Sequence, residues 1–574
     1  MRPEAAAHPP MTFAWSKFRS FLPAATFAMA AEFLMGLSDS VICGHILGEN
    51  GLSAVNLMQG VFEIVTFVSM MVTVGTSVLF ATELGALHVR RAKGYFTLGT
   101  LAAVAFGLLF AAVLAAVRTP VIAAFGASPE VSGMAASYWL WFLPAAALQP
   151  IAFFLGTMCY TDGDARLSFC SYLAQLLGNC LLSVPLTRAF GAAGCAVGTG
   201  LGSLAAVVVL LFHFRRKGCM LGWSRHFILS DLLKISRTSF GDASKNIGKA
   251  ALMFALNAYV IAKFGSDMLP VLAVVVMTIG ISEMFDGVAN AAQPLASVYI
   301  GERNPLLTKR VMRAALWTAL AEGGGVMLLL LAFPDLMLLL AGIDSPATVA
   351  EARLAVRIVS AALPSLALVL LFNSYYVFIG REKLSSVLTL LAVFGLPAAL
   401  FPVFGSCWGA HGVWTALALA PALALVGVAL YVLACGGLRG FPFLLPRGRE
   451  TALRVFDLAL DPVAICGASA SVEAHLEAKG VGGRRASKAA LLVEEALMVV
   501  HDRNSGKCIK AEVTVDLNDG LVLVLRDDGA IFDITDTDAR VSSLRSYLVS
   551  NLMTAIPSRR NLTTTGFNRN VFKL

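Results

Sequence analysis

Residues 21–47 read FLPAATFAMAAEFLMGLSDSVICGHIL, and the class of the whole chain turns on them. The stretch is long enough to cross a bilayer, which takes about 20 residues. It nevertheless carries two carboxylates, Glu32 and Asp39, seven positions apart and so on nearly the same face of a helix. An ionisable group at membrane depth is costly and is usually kept for ion or substrate chemistry. The competing reading places Asp39 near the outer interface, where water hydrates it.

The rest of the chain agrees with a membrane setting. Of 574 residues, 57% are hydrophobic and only 14% charged, with mean hydropathy +0.76. A soluble chain carries about a quarter charged residues. The net charge of +8 does not indicate nucleic acid, because Lys and Arg gather in short loops between apolar segments. Ten cysteines are scattered singly, without CxxC or a Cys/His grouping of metal spacing, so no metal is expected. No cleavable signal precedes Phe21, so the first segment reads as a retained span.

Twelve apolar segments follow one another: 17–47, 52–84, 95–117, 136–160, 166–187, 192–214, 238–263, 267–300, 310–334, 354–379, 384–404 and 411–435. The second and eighth are long enough to require tilt or a kink. Basic residues follow the even-numbered segments, for example His88-Val-Arg-Arg-Ala-Lys93 and Arg215-Arg216-Lys217, whereas the opposite loops are poor in them. Both ends are therefore expected in the cytoplasm of a cell whose inner membrane holds the chain. The two halves repeat. Leu84-Gly85 matches Ile300-Gly301, and Gly163-Asp-Ala-Arg-Leu-Ser168 matches Gly380-Arg-Glu-Lys-Leu-Ser385. Pro185 and Pro402 share the same offset of 217, and Gly191-Ala-Ala-Gly194 matches Gly409-Ala-His-Gly412. Six crossings per half make the repeats parallel, with sites expected near the midplane between them.

The expected organisation is an all-α polytopic membrane protein of 12 helices in two six-helix lobes, plus an α+β cytoplasmic domain. Its parts are a tail 1–16, lobes 17–214 and 238–437 joined by a loop 215–237, a linker 438–451 and a domain 452–574. In that domain, strands are expected at 453–458, 509–517, 521–526 and 568–573, and helices at 464–479, 484–501 and 542–555.

Further acids lie in apolar stretches: Glu63, Asp242, Glu283, Asp286 and Glu322. Glu283 and Asp286 are i, i+3 neighbours and are candidates for binding a cationic substrate. The alternative is that they pair with Lys245 or Lys249. Met58, Phe62 and Met284 are candidates for the lining of a greasy cavity.

Residues 15–437 resemble the multidrug and toxic compound extrusion (MATE) family. The resemblance rests on Gly36-Leu-Ser-Asp-Ser-Val-Ile-Cys-Gly44, the Gly85 and Gly301 loops, Tyr160-Thr-Asp-Gly-Asp-Ala-Arg166, Gly178-Asn179 and the paired Gly-Ala-x-Gly turns. It implies export of drugs, toxins and other cationic or amphiphilic molecules in exchange for H+ or Na+. It also implies a cation site at Asp39, Asn179 and Thr199. The family's second acid there falls on Ser183, a departure that weakens Na+ binding and for which Glu32 is a candidate replacement. The resemblance further implies small-molecule substrates and the lipid bilayer as partners, with no nucleic acid, and a transporter rather than an enzyme. A lipid-linked oligosaccharide flippase of the same superfamily is one rival. A membrane sensor whose tail binds a regulatory protein is another.

The tail resembles the histidine-kinase-like ATPase fold in its anti-sigma-factor serine kinase branch. Leu491-Leu-Val-Glu-Glu-Ala-Leu-Met-Val-Val500 and Arg526-Asp-Asp-Gly-Ala-Ile-Phe-Asp533 carry the likeness, which maps nucleotide-binding positions onto Glu495, Asp527 and Gly529. Two departures argue against ATP as a cofactor and against catalysis. Val499 stands where an Asn should hold Mg2+, and Ser542-Ser-Leu-Arg-Ser-Tyr547 stands where a glycine-rich lid should cradle phosphate.

Overall fold

Backbone polar groups find no water in hydrocarbon, so apolar segments of this length fold as helices that satisfy them internally. A computed structural model shows these helices and describes residues 12–124, 129–265, 268–341, 346–440, 442–444, 448–534, 543–554, 556 and 558–574. The first half comprises α1 (Phe13–Leu57), α2 (Gln59–Gly85), α3 (Val89–Ala124), α4 (Pro129–Thr161), α5 (Ala165–Phe190) and α6 (Ala192–Leu211). The second comprises α7 (Asp231–Phe264), α8 (Leu269–Gly280), α9 (Asp286–Gly301), α10 (Pro305–Ala332), α11 (Asp335–Ala341), α12 (Pro346–Ser360), α13 (Leu363–Phe378), α14 (Glu382–Leu390) and α15 (Leu396–Gly440).

Ten of the described helices are long and apolar enough to span a bilayer, and α12 with α13, bent by 43°, makes an eleventh. The tenth runs over residues 382–435, which at about 1.5 Å per residue far exceeds a hydrocarbon core of about 30 Å. It changes direction at Gly409, whose φ of +62° takes the chain off the helical path. It is therefore long enough for two crossings, which would bring the total among the described residues to twelve. Both long segments of the sequence are interrupted: the second by a turn at Met58, the eighth by the 3-10 stretch Ile281–Phe285.

The repeat is visible in the backbone. Gly191 and Gly409 turn with φ of +63° and +62°. The turns after α2 and α9 each hold one non-glycine residue in the left-handed region, Leu87 (φ +67°) and Arg303 (φ +56°). The turns after α4 and α13 close alike, with Asp164 N donating to Cys159 O (3.0 Å) and Arg381 N to Tyr376 O (2.7 Å).

The halves meet about this pseudo-dyad. A Cβ on Gly85 would lie 2.1 Å from Val298 O, and one on Gly301 would lie 2.0 Å from Thr82 O. One offset, 216 residues, relates both partners of this reciprocal contact. Only glycine permits backbones to touch so closely, which is how membrane helices pack tightly. Nearby, Gln293 Nε2 donates to Ser77 Oγ across the same interface.

Beyond the last helix, β1 (Leu453–Ala459), β2 (Lys510–Asp516), β3 (Val522–Asp527), β4 (Ser558–Thr564) and β5 (Phe567–Lys573) form one antiparallel sheet in the order β1-β2-β3-β5-β4. Helices α16 (Pro462–Ala478) and α17 (Gly483–Arg503) share a core with the sheet through Val472, Leu492, Val493, Val513, Leu523 and Phe572. Helix α18 (Ser543–Thr554) lies before β4. The sequence reading missed β4, whose residues Ser-Arg-Arg-Asn-Leu-Thr-Thr lack apolar alternation.

The glycine contact yields a measurable expectation. Gly85→Ala should lower the melting temperature of the purified protein, since forcing a methyl into a packed interface costs about 1–3 kcal/mol. Gly324→Ala, where a Cβ meets nothing within 4 Å, should leave it unchanged or slightly raised. Melting followed by fluorescence checks both.

Candidate functional site

Asp39 lies on α1 and is 4% exposed, so a charge there depends on neighbouring donors. Three come from three other helices. Tyr138 Oη on α4 donates to Oδ2 at 2.6 Å, Thr199 Oγ1 on α6 donates to the same oxygen at 2.9 Å, and Asn179 Nδ2 on α5 donates to Oδ1 at 3.1 Å. Asn179 also donates to Thr199 Oγ1 (2.9 Å), and its own Oδ1 accepts from Ser38 Oγ (2.9 Å). One carboxylate is thus the knot of four helices of the first half. Oxygen ligands from Asp, Tyr, Thr and Asn suit a proton or a hard cation.

The structure brings Asp39, Asn179 and Thr199 together and adds Tyr138, which sequence reasoning missed. Tyr138 is fully buried, and Phe62 and Phe142 flank its ring, at 6.3 and 5.9 Å between centroids. Its only sequence signal is a phenol within an apolar stretch, where a buried Tyr needs a partner. Ser183 stands apart: its hydroxyl donates to Cys195 O at 3.3 Å, against the closely packed Gly198. Glu32, two turns before Asp39, is half-buried beside Tyr172.

A narrow cavity, partly open to solvent, lies between the halves. Its walls include Met29 on α1, Met70 on α2, Tyr160 on α4, Tyr172 on α5, Lys245 on α7 and Asp286 and Asn290 on α9. Asp286 accepts from Lys245 Nζ at 2.5 Å, and Glu283 from Lys249 Nζ at 2.6 Å. The two acids are therefore paired with the lysines of α7, the alternative that spacing left open. Met58 and Phe62 pack in the core beneath Tyr138, Met284 is half-buried, and so is Glu322 on α10. The side chains of Glu63 and Asp242 lie outside those described.

A profile described as MatE matches residues 24–184 and 250–403, more than half of the chain. The chain belongs to the MATE family. Its fold is similar to an outward-facing multidrug resistance MATE family transporter of the MOP superfamily (TM-score 0.67, 19% identity, covering 73% of this chain and 95% of that one). It is also similar to the Vibrio cholerae MATE transporter VcmN in its bent form (0.66, 18%, 74% and 97%). A third likeness is to a MOP superfamily transporter from Pyrococcus furiosus, described by the reverse polarity of its binding pocket (0.65, 18%, 73% and 95%). No curated protein matches the sequence. The MatE match ends at residue 403, so the α+β domain lies outside it.

In this MATE-family chain, the tail positions expected to hold nucleotide are engaged internally. Glu495 lies 3.5 Å from Arg545. Asp527 accepts from Asn568 Nδ2 (2.8 Å) and Gly529 N (3.1 Å), and burial pushes its carboxyl up to about 6. A Cβ on Gly529 would meet Asn504 Nδ2 at 2.6 Å. Val499 is buried in the domain core. Of the expected lid replacement, Ser542 lies outside the described residues, and the remainder begins α18. Elsewhere, three groups of metal-ligand type meet: Asp162, His213 and Cys219. Sequence spacing missed them because Asp162 lies in the α4–α5 turn, about fifty residues before His213 and Cys219, which follow α6. Both ring nitrogens of His213 are held by carboxylates, Nε2 by Asp162 (2.9 Å) and Nδ1 by Asp164 (3.1 Å), which ties the end of α6 to the α4–α5 turn.

Tyr138→Phe removes the shortest bond to Asp39 and should destabilise the protein by about 1–3 kcal/mol. In the Asp39→Asn background the same change should cost clearly less, because the two share one bond. Thermal melting of the four proteins in detergent measures the coupling.

Proposed function

We propose that this MATE-family chain is a secondary exporter in which Asp39 carries the coupling ion, H+ or Na+, and the cavity between the halves carries an amphiphilic small molecule. The supporting observation is the Asp39 knot: a buried carboxylate satisfied by Tyr138, Thr199 and Asn179 on three other helices. Binding or loss of a cation at that oxygen pair changes how four helices are held together. An ion at Asp39 is thereby linked to the shape of the lobe. With Ser183 bonded elsewhere, the cluster offers one carboxylate, which favours a proton over Na+ as the carried ion.

The cavity supports an amphiphile more than a simple cation. Its acid is already compensated by Lys245, while Met29, Met70, Phe153, Phe378, Tyr160 and Tyr172 offer apolar and aromatic surface. Loop charge favours both termini in the cytoplasm and placement in an inner membrane. The internally engaged Glu495, Asp527 and Gly529 favour a tail without ATP turnover, so the gradient, not a nucleotide, drives the cycle. The cycle then reads as alternating access. The ion binds Asp39 from outside, the lobe shifts, substrate leaves outward, and ion release on the inside resets the halves.

The test is ethidium efflux from proteoliposomes under an imposed pH gradient and, separately, a Na+ gradient. The intact protein should export under at least one gradient. Asp39→Asn should lose at least tenfold of the rate while melting within a few degrees of the parent. Normal export by Asp39→Asn would remove Asp39 from coupling.

A further inference from the structure

The α+β domain packs against the membrane helices through one face of its sheet, and that face is built of charge. Register aligns Asp457 with Glu512, Glu512 with Arg526, and Arg526 with Arg569, so one row crosses β1, β2, β3 and β5. A polar row on the face opposite α16 and α17 would ordinarily meet water. Here Glu512 and Arg526 are fully buried and Arg569 is 3% exposed. Buried charges need partners, and these find them on both halves of the transporter.

Arg526 pairs with Glu302, which follows α9, and lies over the Tyr299 ring at 5.3 Å, while its Nη1 is 2.5 Å from Glu512. Arg569 donates to Leu84 O (3.1 Å) and Gly85 O (3.0 Å) at the end of α2, and its Nε lies 2.9 Å from Glu302 Oε1. Asp457 takes Arg310 of α10 at 2.7 Å and the Phe13 N–H of α1 at 2.9 Å. Arg560 donates to Leu87 O at 3.0 Å, and Gly566 lies so close to Gly163 that a Cβ there would sit 2.2 Å from its nitrogen.

The placement decides what these bonds do. Gly85 and Gly301 are where the two halves touch backbone to backbone, and Arg569 reaches the carbonyl of the first while it faces the acid that follows the second. If the halves part at this end, Leu84 and Gly85 move away from Glu302, and Arg569 cannot serve both. A buried charge is then left without its partner.

We propose that the α+β domain is an intramolecular latch on the transport cycle: its charged sheet face binds the form in which the domain-bearing end is closed, and must let go of one half before that end opens. This rests on the reading of the chain as an alternating-access exporter. It gives a role to the part of the chain that the family match leaves out.

The test uses the full chain with the exposed Cys170, Cys407, Cys435, Cys466 and Cys508 changed to Ser, and spin labels at His88→Cys and Lys383→Cys. Both label sites are exposed, His88 in the turn after α2 and Lys383 at the start of α14, on opposite halves at this end. Electron–electron distances should show mainly one short separation in the parent. Arg569→Gln should raise the population of a longer separation about tenfold or more. The pair Arg310→Ala with Arg560→Ala, which leaves the sheet's own core intact, should raise it in the same direction and decides the matter if Arg569→Gln fails to fold. Unchanged distances in the folded variants would overturn the latch. Ethidium efflux on the same samples separates the two ideas. Efflux with unchanged distances removes the latch alone, and absence of efflux from the parent removes the exporter reading.

Discussion

The structure depends first on how a carboxylate is kept at membrane depth. Asp39 is buried on α1, and no lysine or arginine is bonded to it among the contacts described; hydroxyl and amide donors from α4, α5 and α6 stabilise it instead. Neutral donors hold a carboxylate without fixing its charge as a salt bridge would. Such a group can exchange a proton or a small cation, and each exchange changes what its donors on α4, α5 and α6 are bonded to. The contrast with the second half is direct. There Glu283 and Asp286 are locked by Lys249 and Lys245, and the same residue type serves structure. Two kinds of acid therefore divide the labour, and of these three Asp39 is the one held by neutral donors in place of a fixed counter-charge.

The second constraint is the pseudo-symmetric contact of Gly85 with Val298 and of Gly301 with Thr82. It brings the halves together at the end that carries the α+β domain and makes that end the closed one. Helix α1 joins the two constraints. Phe13 bonds the domain, the Phe21 carbonyl accepts from Tyr160 on α4, Met29 lines the cavity and Asp39 holds the knot. From Phe13 to Asp39 this is about 39 Å of helix at 1.5 Å per residue. A change at the knot that tilts or bends α1, which carries Pro23 between the domain contact and the cavity, acts on both through one continuous element.

Much of this was legible in the sequence, for physical reasons. Segment length and composition fixed twelve crossings, because hydrocarbon leaves so few ways to satisfy a backbone. Offsets of 216 to 218 exposed the repeat because turns need glycine at matching places in both halves. Asp39, Asn179 and Thr199 came from likeness to a family, and the geometry groups them. Tyr138 stayed hidden because aromatic residues are common in apolar helices, and nothing in spacing says which one faces a carboxylate. Spacing likewise placed Glu283 and Asp286 on one face but did not choose between substrate and lysine. Strand β4 escaped because an edge strand needs little apolar patterning. The charged face of the sheet was unreadable in kind: alternation of Glu512, Thr514 and Arg526 looks the same whether water or a protein surface covers it.

The central claim is that the Asp39 knot exchanges its ion when the cavity fills. Proton release into weakly buffered detergent solution, followed with a pH indicator on successive additions of ethidium, tests it most directly. The account predicts release from the parent and none from Asp39→Asn under the same additions. Equal release from both proteins, or none from the parent while ethidium fluorescence reports binding, would contradict it.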